Sequence, residues 1–246
     1  MVRSLIPMLL LSSLGACVAD NGDEGIFITK NVAPGEDCSF SASESSPFLA
    51  HGTFSIFSPA AYRVYPQLQS RVTATTGQED ARTIIVRGAR VELEFADTTL
   101  FSASELTEMR TAGLTRFETL FTAPLRPNGG IADGAVDVVQ PAVLDRIVAK
   151  RPDITAANAP VFRTEVIGKI RVFGDMSGSE ITSQEFQFPL TICNNCVINV
   201  IGACPLPMGT MVRPGNSCNP YQDGVVDCCM SDGQLSCPAT VSTTTP

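Results

Sequence analysis

The chain contains no Trp and only one His, and each shortage removes a class of reading. Without Trp, the Cys-Trp-Cys signature of a true immunoglobulin domain cannot be present. Zinc hydrolases need several His in a set pattern, so that chemistry is excluded. A Ser-His-Asp triad would need His51 as its base. No Ser sits in Gly-x-Ser-x-Gly, and the nearest approach, Gly174-Asp-Met-Ser177-Gly178, has the wrong spacing. No phosphate-binding Gly loop occurs either. Aromatics are 7% of the chain, so the core must be built mostly from Val, Ile, Leu and Phe. Basic residues are outnumbered, 17 Lys and Arg against 25 Asp and Glu, for a net charge of −8. Phosphate-driven nucleic-acid binding needs clustered cations and is not expected. Electrostatic attraction to anionic headgroups is excluded on the same ground. No apolar run reaches the roughly 20 residues that span a bilayer.

What the chain does have begins with an export signal. Arg3 and the amino terminus form a positive region, followed by the apolar run Leu5–Leu11, broken only by Pro7. The run ends in Leu14-Gly15-Ala16-Cys17, which resembles the lipobox of bacterial lipoproteins. That resemblance implies cleavage before Cys17, diacylglycerol on its thiol, and a second fatty acyl group, such as palmitate, on the new amino terminus. Two or three acyl chains hold a protein to a membrane where one gives only marginal binding. Val18, rather than Asp, follows the Cys, and in the family this favours the outer membrane. The layout also resembles Cys-rich outer-membrane lipoproteins with an exported β-domain. The expected organisation is a signal peptide over 1–16, a lipidated acidic tether over 17–24, a β-domain over 25–197, a Cys-rich segment over 198–240 and a disordered Thr-rich tail over 241–246.

Cysteine parity supports this layout. The chain has nine Cys. Setting Cys17 aside leaves Cys38, Cys193, Cys196, Cys204, Cys218, Cys228, Cys229 and Cys237, an even set suited to disulfides in an oxidising compartment. Seven lie between Cys193 and Cys237, in a stretch rich in Pro, Gly and Asn that cannot bury much core. Seven cannot pair among themselves, so one bond must leave the segment and reach Cys38. Cys193 or Cys196 is the expected partner, because both sit at the end of a predicted core strand. Cys193-Asn-Asn-Cys196 also has the spacing of zinc ribbons and redox motifs. Zinc would need reduced thiolates with no His nearby, and a thioredoxin-like motif needs a strand-to-helix turn. We therefore read this pair as structural.

Periodicity predicts a mainly β fold. Strands are expected over Gly25–Val32, Phe48–Phe57 and Tyr62–Thr73, the last confined to an edge or bulge by Pro66. In Thr83–Ala96 the alternation of Val91, Leu93 and Phe95 with Arg90, Glu92 and Glu94 buries one face. The change of pattern at Gly88 predicts a bulge. Ser102-Ala-Ser-Glu105 is a capping box opening a helix to about Ala112, and Pro141 opens a second helix to Lys150. Arg116–Ala123 and Gly134–Gln140 read as strands. A hairpin follows, with Val166, Ile170 and Val172 on one face, a turn at Gly174–Gly178, and Phe186, Phe188, Leu190 and Ile192 returning. About eight strands with two helices point to an immunoglobulin-like β-sandwich, followed by the disulfide-rich C-terminal segment.

Chemistry-bearing constellations are few. His51 reads as a loop or surface residue. Glu92 and Glu94, two apart on a strand, share its solvated face. A calcium loop is faintly suggested by Asn219, Asp223 and Asp227, at its first, fifth and ninth positions, but Tyr221 and Met230 stand where carboxylates are needed. A tight Asp223-Gly224 turn is the plainer reading. No cofactor is expected. The expected function is a lipid-anchored, non-enzymatic binding or structural module with an envelope protein or glycan as partner. Its rival is a secreted hydrolase working through paired carboxylates.

Overall fold

The period-two patterning produces a mainly β protein in the computed structural model, which describes residues 25–41, 43–155, 159–194 and 196–242. The signal peptide, Cys17 and the tether lie outside the described residues. In chain order the strands before the first helix are β1 (Ile26–Asn31), β2 (Gly52–Ser55), β3 (Tyr62–Val64), β4 (Pro66–Ser70) and β5 (Ile84–Phe95). Helix α1 (Ala103–Thr111) leads to β6 (Arg116–Leu125), β7 (Ile131–Asp133) and β8 (Val136–Val139). Helix α2 (Pro141–Lys150) precedes β9 (Arg163–Met176), β10 (Ser179–Thr182) and β11 (Phe186–Cys193). The Cys-rich segment contributes β12 (Ile198–Ala203), β13 (Val226–Ser231) and β14 (Gln234–Ser236).

One large sheet runs β2-β11-β9-β5-β6, with β10 extending along β9 beyond the end of β11. Alternation along its strands gives it two unlike faces. Val91, Leu93, Val166, Ile170, Phe188 and Leu190 point into one continuous core with Ile26, Leu68, Val138 and the α2 stripe of Val143, Leu144 and Ile147. Each such side chain, fully buried, contributes about 1.5–3 kcal/mol. The layer opposite the large sheet is assembled from β1-β4-β7, the pair β3-β8 and α2. Approach between the layers is close: a Cβ on Gly168 of β9 would press into Val138 of β8.

The two helices form where the caps predict. The Ser102 hydroxyl accepts from the Glu105 N–H, and the Glu105 carboxylate accepts from the Ser102 N–H at 2.9 Å. Pro141 sits at the first position of α2. The bulge also falls at Gly88, where the register of β5 against both β6 and β9 slips.

Several expectations are corrected. An immunoglobulin sandwich divides its strands between two antiparallel sheets; here β2 joins the large sheet parallel to β11, and the facing layer is split in two. The second expected strand shrinks to Gly52–Ser55, with Phe48 in a single bridge to Val32. The third breaks at Tyr65 into β3 and β4. Pro66 does not hold β4 at an edge, since β4 lies between β1 and β7. Pro66 is the first residue of β4, where no ladder donor is required of it. The chain reverses at Ser177-Gly178, because β9 continues through Gly174 to Met176. Val241 is not part of a loose tail: it bridges to Leu206, whose carbonyl accepts from the Ser242 N–H at 2.9 Å. Residues 243–246 lie outside the described residues.

Beyond residue 197 the chain makes a separate small sheet, β12-β13-β14, over a minor core of Leu206, Cys229 and Ala239. Disulfides supplement this core. Cys204 pairs with Cys229, Cys228 with Cys237, and Cys193 with Cys196. The bond that leaves the segment does reach Cys38, but from Cys218 rather than from Cys193 or Cys196. The physical reason is that Cys193 is buried at the end of β11, while Cys218 is carried onto the β-domain by a loop docked against β2.

Two outcomes are expected. Non-reducing peptide mapping should recover a Cys38–Cys218 linked peptide. Gly88→Val should destabilise the protein by about 1–3 kcal/mol in urea titration with the disulfides intact, because the added side chain collides with the Thr119 carbonyl of β6.

Candidate functional site

Strand β2 pairs with β11 on one side, which leaves the other side as an exposed edge unless something covers it. The Cys-rich segment supplies the cover. The Ser55 N–H donates to the Tyr221 carbonyl at 2.9 Å, and the Asp223 N–H donates to the Thr53 carbonyl at 2.8 Å. The Thr53 N–H then donates to the Asp223 carboxylate at 2.9 Å, so a side chain takes the place of a strand carbonyl. Asp223 adopts the left-handed conformation, φ 55°, which Asp tolerates better than most residues and which Gly224 follows easily. This is the tight Asp-Gly turn of the sequence.

The carboxylate is gripped from below as well. Tyr62 of β3 directs its hydroxyl at both oxygens, 2.9 and 2.8 Å away. A side chain on Gly52 would occupy the place of that hydroxyl. Gln222, 1% exposed, donates from Nε2 to Asp223 at 3.2 Å and to the Arg63 carbonyl at 3.1 Å. Its Oε1 accepts from the Arg63 N–H at 3.1 Å.

On the far side, the Cys38–Cys218 disulfide brings residues 33–38 against the loop before Asn219. The Ser217 hydroxyl donates to the Gly35 carbonyl at 2.6 Å and accepts from the Cys38 N–H at 3.1 Å. Between these strips lies a cleft of about 630 Å³, walled by residues 33–36 and 214–217, with Asp223 at their junction.

Burial pushes the Asp223 carboxyl up to about 6, the hydrogen bonds from Thr53, Tyr62 and Gln222 offsetting only part of the effect. Burial, and then the adjacent Asp223 charge, raise the Tyr62 hydroxyl well above the ordinary tyrosine value. The partners of Asp223 are all neutral. Other aspartates differ: Asp137 is paired with Arg63 at 2.6 Å, Asp175 with Arg87, and Asp227 with Arg213 at 2.6 Å.

The suggested calcium residues therefore do not converge on a metal. Asp227 is held by the Arg213 guanidinium and by Asn199 at 2.6 Å, which depress its pKa far below the carboxylate range. Asn219 donates to the Ala61 carbonyl and to Gln222, both at 3.3 Å. Among the described residues no group of three or more Cys, His, Asp or Glu is placed to hold a metal ion.

A second surface is the open face of the large sheet, with a shallow hollow of about 880 Å³ over Arg90, Glu92, Arg116, Glu118, Lys169 and Glu185. Arg90 reaches Glu118 at 3.0 Å and Glu180 at 3.1 Å while stacking on Phe173. Glu92 pairs with Arg110 and Glu94 with Lys169, so neither carboxylate stands free.

His51 is exposed. Its Nε2 lies 3.1 Å from the Thr191 hydroxyl and 3.4 Å from Glu165, so one ring nitrogen faces both groups. A triad needs the acid on one nitrogen and the nucleophile on the other. Cys193 ends β11 and Cys196 precedes β12, with no helix following, so the thioredoxin context is missing. Tyr62, Thr53 and Gln222 escape sequence reading. They reach Asp223 through tertiary contact or carry no motif, and the only local signal is the Asp-Gly turn. The sequence matches no protein-family model and no curated protein.

The Asp223 shift sets a pH dependence. Its carboxyl titrates near 3.8 when unfolded and near 6 when folded. Between these values the native state keeps a proton that the unfolded state releases, so stability falls as pH rises through this window and is flat above it. The drop should be on the order of 2–3 kcal/mol. Asp223→Asn should flatten the slope between about pH 4 and 6, read as the difference between the two urea-denaturation profiles.

Proposed function

We propose that this chain is a lipid-anchored protein of a bacterial outer membrane, working as a binding or structural module rather than as an enzyme. The observation that carries the reading is cysteine pairing. Eight of the nine Cys form four disulfides with one another, which leaves Cys17 as the odd thiol, at the end of a lipobox-like sequence. Four disulfides suit an exported protein in an oxidising compartment. An envelope protein or a glycan is the partner in this reading. The surfaces that favour it are the cleft beside Asp223 and the broad charged face of the large sheet.

A carboxylate hydrolase is the weaker alternative. It needs two carboxyl groups facing each other across a substrate cleft, one of them free to act as nucleophile or base. Glu92 and Glu94 are instead each held by a cation, Arg110 and Lys169.

Cells fed labelled palmitate should incorporate label into the exported chain, and Cys17→Ser should lose it and accumulate the uncleaved form. Equal labelling of the Ser variant would refute the anchor.

A further inference from the structure

We propose that the cleft between residues 33–36 and the Cys-rich segment binds a primary ammonium group, with the Asp223 carboxylate as its counter-ion. The proposal deepens the binding reading by naming the ligand's chemistry, and it does not depend on the lipid.

The first support is charge. A carboxylate withdrawn from water is stabilised when a cation or several donors face it. From β2 Asp223 receives only the Thr53 N–H, from β3 only the Tyr62 hydroxyl, and from its own loop only the Gln222 amide. The nearby cation on β3, Arg63, is committed to Asp137. Tyr65, also near, is a neutral phenol whose pKa burial raises. His51, two residues before Thr53, hydrogen-bonds with Glu165 and Thr191 and reaches Asp223 only as a weak, longer-range charge. Residues 33–36 add no cation to the cleft but a second acid, Glu36. Among the described residues Asp223 has no ion-pair partner, and its charge is left for something that enters the cleft.

The second support is coordination. An ionised carboxylate offers about four lone-pair sites. Thr53, Tyr62 and Gln222 occupy three, since one hydroxyl hydrogen serves one oxygen at a time. One acceptor site remains. A guanidinium pairs best with both oxygens at once and is poorly served. Calcium needs six to eight oxygen ligands, and here N–H and O–H donors surround the carboxylate. An ammonium needs a single charge-assisted hydrogen bond and room for its stem. The cleft, at about 630 Å³, has that room, and Gly35, Gly215 and Gly224 add no side chain to its walls.

The test uses the exported chain in neutral detergent, titrated with n-butylammonium, n-butanol, n-butylguanidinium and calcium chloride, followed by NMR and calorimetry. Saturable butylammonium binding is expected at pH 8, at least tenfold tighter than at pH 5, where Asp223 is protonated. Butanol should not bind, and butylguanidinium should bind more weakly than the ammonium. Acetyl-Gly-Lys-Gly-amide should also bind; affinity above that of butylammonium assigns the site to a protein lysine, and lower affinity assigns it to a free amine. Asp223→Asn should lose at least tenfold at pH 8 with all four disulfides formed. Should that variant fail to fold, the pH dependence of the unaltered protein decides. Binding that is absent, that is equal at pH 5 and 8, or that calcium displaces at one ion per chain overturns the proposal. Failure of fatty-acid labelling would leave amine binding intact, so the two readings fail separately.

Discussion

A carboxylate standing in for a backbone carbonyl joins the two parts of this protein. Asp223 accepts the Thr53 N–H that the edge of β2 would otherwise expose, and Tyr62 holds the same group from beneath the sheet. Remove that carboxylate and the Thr53 N–H loses its acceptor and the buried Tyr62 hydroxyl its partner, while the backbone bonds of Ser55 to Tyr221 and of Asp223 to Thr53 still hold the loop on β2. An unsatisfied buried donor costs about 1–3 kcal/mol, and here two would be orphaned together. The disulfide at Cys38–Cys218 then fixes the opposite side of the same junction. Covalent and polar links act in parallel where neither sheet alone would specify how the two meet.

Several exposed charges are paired across elements. On the open sheet face, Arg90, Lys169 and Arg171 each meet a glutamate from a neighbouring element. Exposed pairs of this kind contribute about 0–1 kcal/mol apiece, so they do little for stability. They do keep this face of the sheet hydrated around Leu120, 76% exposed on β6. Asp223 differs from these pairs in being withdrawn from water and hydrogen-bonded only by neutral donors.

Much of the fold was legible in the sequence because its signals are local. The alternation of Val91, Leu93 and Phe95, the break at Gly88, the Ser102–Glu105 capping box and Pro141 all act within a few residues. Cysteine parity is a global property that needs only counting, and it assigned one bond to Cys38. The partner could not be counted. Cys193 lies nearer the core strands in sequence, yet Cys218 wins because the 219–223 loop docks on β2, a contact between residues more than 150 apart. The candidate site was hidden for the same reason. Nothing around Asp223 announces Tyr62, which lies 161 residues away, so the local pattern offered only a turn and a faint calcium loop. Pro66 misled in the opposite direction: a proline in a strand suggests an edge, but as the first residue of β4 it leaves the ladder intact.

The disulfide arrangement also decides how the molecule responds to tension. Cys38–Cys218 closes a loop with a sequence separation of 180, and every strand of the large sheet lies inside it. A pull applied between Gly25 and Ser242 travels along the chain to Cys38, crosses to Cys218, runs to Cys228, crosses again to Cys237 and leaves through the last residues. The strands β2 to β11 are off that path. Loaded from its ends, the protein would lengthen by only a small fraction of its contour, the force acting on β1, with Ile26 and Ile28 of the core, and bypassing the strands from β2 to β11.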